Sequence, residues 1–197
     1  RMHYESAPLS YEELRHAALM RHIVLVKPLY AALAEARLYA AEGGVEGARR
    51  AYEALKAVRP FERFGEVRLG ELRSLTKKAL SLERRLAEVE REIARVRELL
   101  PAADGQRAAL EARLTRLEAE RAHIAERLME IRARMRVEAG EAVEQVARTY
   151  RGFLEDVRRE VDPAFKQLRD ALVAAEVRPR LLNELEAAVK RHEEVIR

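Results

Sequence analysis

Two Glu-x-x-His pairs come closest, among the residues of this chain, to the spacing that metal chemistry requires. They are Glu13 with His16 and Glu120 with His123. A spacing of three places both side chains on one face of a helix, and di-metal helix bundles combine two such pairs with two further carboxylates. The heptad pattern described below places Glu120 and His123 outside the helix seam, facing away from the paired helix. We therefore predict that the chain has no metal site.

Other reactive constellations are missing from the sequence as well. The absence of Cys excludes disulfides, thiol nucleophiles and Cys-bound metals. The glycine-rich run at 43–47 lacks the Lys-Ser/Thr and the preceding strand of a phosphate loop, so it predicts a turn that ends a helix. Ser and Thr residues are scattered, without a supporting His and Asp. We predict no catalytic residue, no cofactor and no small-molecule substrate, and therefore a protein that is not an enzyme.

The composition predicts long helices. Of the 197 residues, 37% are charged, 48% are hydrophobic and 5% are aromatic, and there are 8 Gly and 6 Pro. Ala, Leu, Glu and Arg are good helix formers, while Gly and Pro, which interrupt helices, are few for this length. The sequence therefore predicts an all-α protein, with a charge-rich composition that is also typical of thermophiles.

The first predicted helix begins at Ser10, whose spacing to Glu13 is that of a capping box. From Leu19 to Val26 this helix is apolar on nearly all sides, which predicts a position in the centre of a core. Pro28 lacks an N–H and is expected to kink or break the helix. The longest aliphatic run, at 23–26, is far shorter than the roughly 20 residues of a membrane span, so we predict no membrane contact. With no secretory signal, a cytoplasmic location is expected.

Two heptad arms flank one short turn in the middle of the chain. Apolar residues recur alternately three and four positions apart on both sides of the turn at 101–106. Arms of equal length joined by a turn with Pro and Gly are expected to fold back as an antiparallel coiled coil, with a parallel dimer as the rival arrangement. The heptad positions are Leu72, Leu75, Ala79, Leu82, Leu86, Val89, Ile93, Val96 and Leu100, then Leu110, Leu114, Leu117, Arg121, Ile124, Leu128, Ile131 and Met135.

The rest of the chain is expected to form a body around this hairpin. Asp162-Pro163 has the chemistry of a helix start. We assign residues 10–66 and 137–197 to a helical body and residues 67–136 to the hairpin. The predicted fold is all-α, with a helical bundle body and a long projecting antiparallel coiled-coil hairpin.

The formal net charge of +4 is spread over interleaved acids and bases, which is typical of solvated helix surfaces. One cluster departs from this pattern at the root of the hairpin, where seven cations lie level with each other and Glu71 is the one acid in these stretches. We call this cluster the basic collar and hypothesise that it binds a polyanion through phosphates, without reading bases. The alternative is a solvated collar neutralised by acids of the body. The basic collar consists of Arg68, Arg73, Lys77, Lys78, Arg132, Arg134 and Arg136.

The hairpin turn is expected to present apolar side chains beyond the last layer of the seam. Leu99, Leu100 and Pro101 precede the turn, and Asp104 lies in it. Exposed apolar groups at the end of a long hairpin are typical of a surface that contacts another protein. We therefore predict a partner-docking tip formed by these four residues.

Together these features favour a non-enzymatic protein–protein interaction or assembly factor, which uses a rigid coiled-coil arm to dock a partner or to self-associate. The paired heptads, the apolar first helix and the lack of a catalytic cluster motivate this hypothesis. One alternative is a nucleic-acid-binding helical protein that contacts phosphates through the basic collar. Another is that the chain is an excised part of a larger coiled-coil ATPase, which predicts further sequence beyond Arg197.

Overall fold

The computed structural model describes residues 11–174 and 179–196, and within these ranges every regular element is a helix. The predicted all-α class is therefore confirmed. The predicted helix start at Ser10 lies outside the described residues. The helices are α1 (Tyr11–Glu42), α2 (Val45–Ala57), α3 (Gly70–Leu99), α4 (Arg107–Asp156), α5 (Asp162–Ala174) and α6 (Pro179–Ile196), with 3₁₀ turns at Arg59–Phe64 and Leu100–Ala102 and a π-helical turn at Val157–Val161.

Helix α1 runs through Pro28 without a break. Proline removes one backbone donor, which disfavours the helix at this point. Leu29 and Leu33 after it are fully buried, and their packing stabilises the continuous helix. The helix ends at Gly43 and Gly44, whose φ angles of 73° and 92° lie in the region that favours glycine. The predicted turn at this point is therefore confirmed.

Helices α3 and α4 lie antiparallel and form a hairpin. Salt bridges cross it in reverse chain order, from Glu71 with Arg134 near the root to Glu92 with Arg113 near the tip. This order follows from a chain that turns back on itself after α3. Along the interface α3 buries Leu72, Leu75, Ala79, Val89, Ile93 and Val96, and α4 buries Leu117, Ile124, Leu128 and Met135.

The turn of the hairpin lies where the sequence predicts it. Leu100–Ala102 forms one 3₁₀ turn, and α4 begins at Arg107. Between them Gly105 has a φ of 93°, which a residue with a Cβ rarely adopts. The Pro and Gly of this segment therefore end one helix and permit the reversal before the next.

Near its root α3 buries a second stripe beside the heptad positions. Thr76, Leu80 and Glu83 follow each other at about one helical turn, and all three are buried. They are buried because α2 packs against α3 here, and Tyr39 near the end of α1 hydrogen-bonds to Glu83. In this region α3 therefore has neighbours besides α4.

The chain divides into two compact units whose boundaries differ from the predicted domains. One unit spans Lys27–Gln145, and the other combines the described residues before Lys27 with those after Gln145. Residues 27–66, which the sequence assigns to the body, thus belong to the same unit as the hairpin. The physical reason is the packing of α2 and the second half of α1 on the hairpin root.

In the other unit, the predicted helix start at Asp162-Pro163 takes another form. A π-helical turn at Val157–Val161 leads directly into α5, so the helical course continues through Pro163. A proline cannot donate the usual helical bond, and a wider π turn before it relieves the clash with the preceding carbonyl. Asp162 also receives a contact from the buried His192 of α6, with 2.5 Å between Oδ1 and Nε2.

Candidate functional site

Two cations of the basic collar, Arg132 and Arg136, bind the C-terminal end of α1. The Arg132 guanidinium donates to the carbonyl oxygens of Ala40 and Ala41, at 3.2 and 2.9 Å. Arg136 donates to the Ala40 oxygen at 3.5 Å. The last carbonyls of a helix have no partner within the helix and carry partial negative charge, so a guanidinium stabilises them. These two arginines act as caps for α1.

Two further collar cations are engaged with acids or carbonyls of the same unit. Arg73 donates to the Leu55 carbonyl near the end of α2, at 3.2 Å, and pairs with Glu62. Arg134 binds Glu71 across the hairpin at 2.6 Å. Hence four of the seven collar residues have partners inside the chain. Arg68, Lys77 and Lys78 are exposed and have no ion pair among the residues that the structure describes.

A buried polar cluster, which the sequence did not predict, joins the end of α1 to α3. The Tyr39 hydroxyl donates to Oε1 of Glu83 at 2.8 Å, and the Gly44 N–H donates to the same oxygen at 3.2 Å. Burial, followed by the hydrogen bond to Glu83 and the charge of Glu83, raises the pKa of Tyr39 far above its usual range. Tyr39 therefore remains a hydrogen-bond donor, and the two bonds to Glu83 hold the end of α1 against α3.

Glu83 is missed by heptad analysis because it lies one position beyond the seam residue Leu82. A signal for it exists in the second stripe of α3, where Thr76 and Leu80 precede Glu83 at about one helical turn each. A mostly apolar stripe that ends in a carboxylate indicates a buried acid that needs donors. Those donors come from a part of the chain about 40 residues away, which the local pattern does not reveal.

The glycine turn after α1 borders a shallow cavity of about 260 Å³. Three of its lining residues are acids, Glu35, Glu42 and Glu46. Carboxylates repel phosphate oxygens, so this cavity is unsuited to the phosphate loop that its glycines superficially resemble.

A larger groove lies between α2 and α3. Its volume is about 430 Å³, and we call it the α2–α3 groove. It is framed by an aromatic wall, a hydroxyl and several long cationic side chains, together with one acid. The lining residues are Tyr52, Lys77, Leu80, Ser81, Arg84, Arg85 and Glu88.

The predicted docking tip exposes its apolar groups. Leu99 is 58% exposed, Pro101 and Asp104 are also exposed, and Leu100 is half-buried. The four residues therefore lie together at the hairpin turn as expected. Whether a partner binds there stays a prediction.

The Glu13 side chain lies outside the described part of the structure, and the pair Glu120 and His123 gains no further ligands among the described residues. Within residues 11–174 and 179–196, no group of three or more His, Asp or Glu side chains could hold a metal ion. Glu120 instead accepts a hydrogen bond from Arg85 at 2.7 Å, which lowers the pKa of the Glu120 carboxyl, and His123 is exposed.

Three of the exposed large apolar side chains of α1 lie on adjacent turns near its start. Met20, Ile23 and Val24 are 44%, 38% and 62% exposed, and we call them the α1 patch. The sequence predicts a central core position for the whole segment from Leu19 to Val26, whereas in the chain by itself Val26 is buried and the patch is not. The core prediction is therefore wrong for the patch.

One helix in the described part of the chain is long and apolar enough to cross a membrane by length and composition. It is the stretch of α1 from Arg15 to Glu42, about a quarter of which is buried over its most apolar window. Core helices of soluble proteins meet the same test, and the later turns of α1 contribute the fully buried Leu29, Leu33 and Tyr39 to the core.

His22 of α1 lies in a stack of rings. Its centroid is 4.7 Å from that of Phe153 and 5.4 Å from that of Tyr150, with interplanar angles of 8° and 21°. Its Nε2 atom is buried and has no hydrogen-bond partner among the described residues. This burial lowers the pKa of His22 below its ordinary value of 6.5, because the protonated ring would lose its hydration.

We expect this part of the fold to lose stability as the pH falls through 6.5. In that range the unfolded chain takes up a proton on His22 while the folded chain does not, so protonation favours unfolding; above about pH 7 both forms are neutral and the effect vanishes. The variant His22→Phe retains a stacked ring and should lose this component of the pH dependence. Urea unfolding at about pH 7.5 and 5.5, followed by helical circular dichroism, measures it. The same pH dependence in variant and wild type would contradict the assignment.

No family model matches the chain, and no curated protein or solved structure matches it either. The chemistry of the surfaces described above is therefore the basis for the function proposed below.

Proposed function

We propose that this protein is a non-enzymatic interaction and assembly factor that self-associates through the α1 patch. The exposure of Met20, Ile23 and Val24 is the observation that carries the proposal. They lie on adjacent turns of a segment that is apolar on nearly all sides, and such a helix is normally buried. Water around large aliphatic groups costs about 25 cal/mol per Å² relative to burial, which favours any arrangement that covers them.

A second copy of the chain is the occupant that fits this surface best. A helix that lies on a membrane surface needs an opposite polar face, which this segment lacks. A lone helix that spans a membrane exposes apolar side chains to lipid along its length, yet Leu29 and Leu33 of α1 are fully buried. A symmetric contact between two copies places apolar groups against the same apolar groups, and the patch then forms the centre of an interface of about 800 Å² per copy.

The hairpin tip supplies a second surface, suited to a different protein. Leu99 and Pro101 are exposed beside Asp104, so a partner with an apolar contact surface can be held by the tip. The antiparallel salt bridges along the hairpin keep the two helices in register, and the arm then presents the tip as a rigid element.

Single-cysteine cross-linking tests the self-association directly, because the natural chain contains no Cys. The variants are Met20→Cys, Ile23→Cys and Val24→Cys, with Met129→Cys, an exposed apolar position on α4, as the matched control. Under mild oxidation at micromolar concentration, we expect at least one patch variant to form a covalent dimer within minutes, while the control remains monomeric. Equal dimer yields at all four positions, or none at any, would overturn the proposal.

Nucleic-acid binding is the second candidate function. The basic collar supports it with three cations, Arg68, Lys77 and Lys78, since the other four have partners inside the chain. One of these three cations, Lys77, also lines the α2–α3 groove.

A further inference from the structure

The α2–α3 groove collects cations that have no carboxylate partner. Lys77 and Arg84 line it two turns apart on α3, about 10 Å apart along the helix axis. Lys56 of α2 lies beside it, with its ammonium 4.9 Å from the centre of the Tyr52 ring. None of these three cations forms an ion pair with any of the residues that the structure describes. The groove is thus bordered by three uncompensated positive charges.

The acid that lines the groove, Glu88, already has an ion-pair partner. Glu88 pairs with Arg85 at 3.3 Å, and Arg85 also binds Glu120 across the hairpin at 2.7 Å. These two carboxylates and one guanidinium form a local network on one side of the groove. Glu88 is therefore not a counter-ion for Lys77 or Arg84, and the charge at the groove remains positive.

Tyr52 adds an aromatic surface to the same place. Its ring is half-buried in the wall of the groove, and Ser81 contributes a hydroxyl. Aromatic rings stack with unpaired bases, while Lys and Arg side chains follow the phosphates of a flexible strand. A duplex hides the faces of its bases, so an aromatic ring set into a groove contributes little to duplex binding.

We propose that the α2–α3 groove binds single-stranded nucleic acid. Lys56, Lys77 and Arg84 contact successive phosphates, Ser81 donates to a phosphate oxygen, and Tyr52 contacts a base without reading its sequence. The groove volume of about 430 Å³ suits a group the size of one nucleotide, with the rest of the strand outside it. This inference rests on the nucleic-acid alternative, and it is independent of the self-association through the α1 patch.

Fluorescence anisotropy with a labelled oligothymidylate of about 15 nucleotides tests the groove. The triple variant Lys56→Ala, Lys77→Ala and Arg84→Ala should bind at least 10-fold more weakly at low salt. The slope of log K against log salt should fall by about two, because each lost phosphate contact on a single strand removes about 0.7. Tyr52→Ala should weaken binding several-fold, whereas Tyr52→Phe should retain it.

The matched control removes the same charge from the exposed surface of the hairpin, in the variants Arg91→Ala, Arg95→Ala and Arg116→Ala. This triple variant should change the affinity less than about threefold. If both triple variants weaken binding equally, or if poly-glutamate competes as well as unlabelled oligothymidylate, the groove is not a single-strand site. If the wild type does not bind the oligonucleotide at low salt, the nucleic-acid alternative fails with it. Self-association is measured separately, by cross-linking without nucleic acid.

Discussion

Replacement of Glu83 with Ala is expected to lower the free energy of unfolding by about 3 kcal/mol. Oε1 of this carboxylate accepts the hydroxyl of Tyr39 and the backbone N–H of Gly44, and the Glu83 side chain is buried. Alanine leaves the buried Tyr39 hydroxyl without an acceptor, whereas the N–H of Gly44, which is exposed, can turn to water. A stranded buried donor costs about 1–3 kcal/mol, and the packing lost with the buried Glu83 side chain adds to this cost.

The matched control is Glu90→Ala, which makes the same substitution on the exposed face of α3 and should change stability by less than about 0.5 kcal/mol. Tyr39→Phe should cost about 1 kcal/mol, because Glu83 then keeps one donor. In the double variant the effects of Glu83→Ala and Tyr39→Phe should be less than additive, since they remove the same bond. Urea unfolding followed by circular dichroism gives these values. A Glu83→Ala variant as stable as the Glu90→Ala control would show that the cluster does not stabilise the fold.

Replacement of Arg132 with Met is expected to lower the free energy of unfolding by about 2 kcal/mol. The side chain retains its apolar stem but loses the donors to the carbonyls of Ala40 and Ala41. The Ala41 carbonyl then lacks this partner at the end of α1, and the Ala40 carbonyl keeps only the longer bond from Arg136, at 3.5 Å. The guanidinium also lies close to Gly43, so the glycine turn loses a neighbour.

Two variants separate this capping role from a general effect of charge. Lys77→Met removes one positive charge at an exposed collar position and should change stability by less than about 0.5 kcal/mol. Arg132→Lys keeps the charge but cannot reproduce the two-pronged geometry, and an intermediate loss is expected. If Arg132→Met and Lys77→Met have equal effects on the urea midpoint, capping by Arg132 does not contribute to the fold.

The sequence reveals the hairpin because the signal is local and repeated. Alternate steps of three and four between Leu72 and Val96 define one helix face, and the same spacing recurs on the returning arm. Pro101 and Gly105 mark the reversal between them. These patterns can be read without information on distant contacts. The position of the turn can therefore be predicted from the residues themselves.

The role of the basic collar could not be predicted in this way. Counting charges finds cations at the hairpin root, but the acceptors of Arg132 and Arg136 are backbone carbonyls about 90 residues earlier in the chain. Every residue has a backbone carbonyl, so the sequence does not show which carbonyls accept these hydrogen bonds. They become visible once the end of α1 lies against α4.

The first helix shows what a hydrophobic pattern does not predict. A helical segment that is apolar on all sides is expected to be buried. On the later turns of α1, Leu29 and Leu33 are buried. At Met20, Ile23 and Val24 the described residues of the chain do not supply the cover. Patterns of hydrophobicity indicate that burial is required, but they do not say whether the same chain or another one provides it.

Sedimentation velocity of the untagged wild-type chain over a dilution series tests the central claim most directly, because it reports mass without any variant. One chain has a mass of 22.6 kDa. Self-association through the α1 patch predicts a species of at least twice that mass at micromolar concentration, which dissociates on dilution. A mass of one chain at every concentration, with full helical circular dichroism, would contradict it.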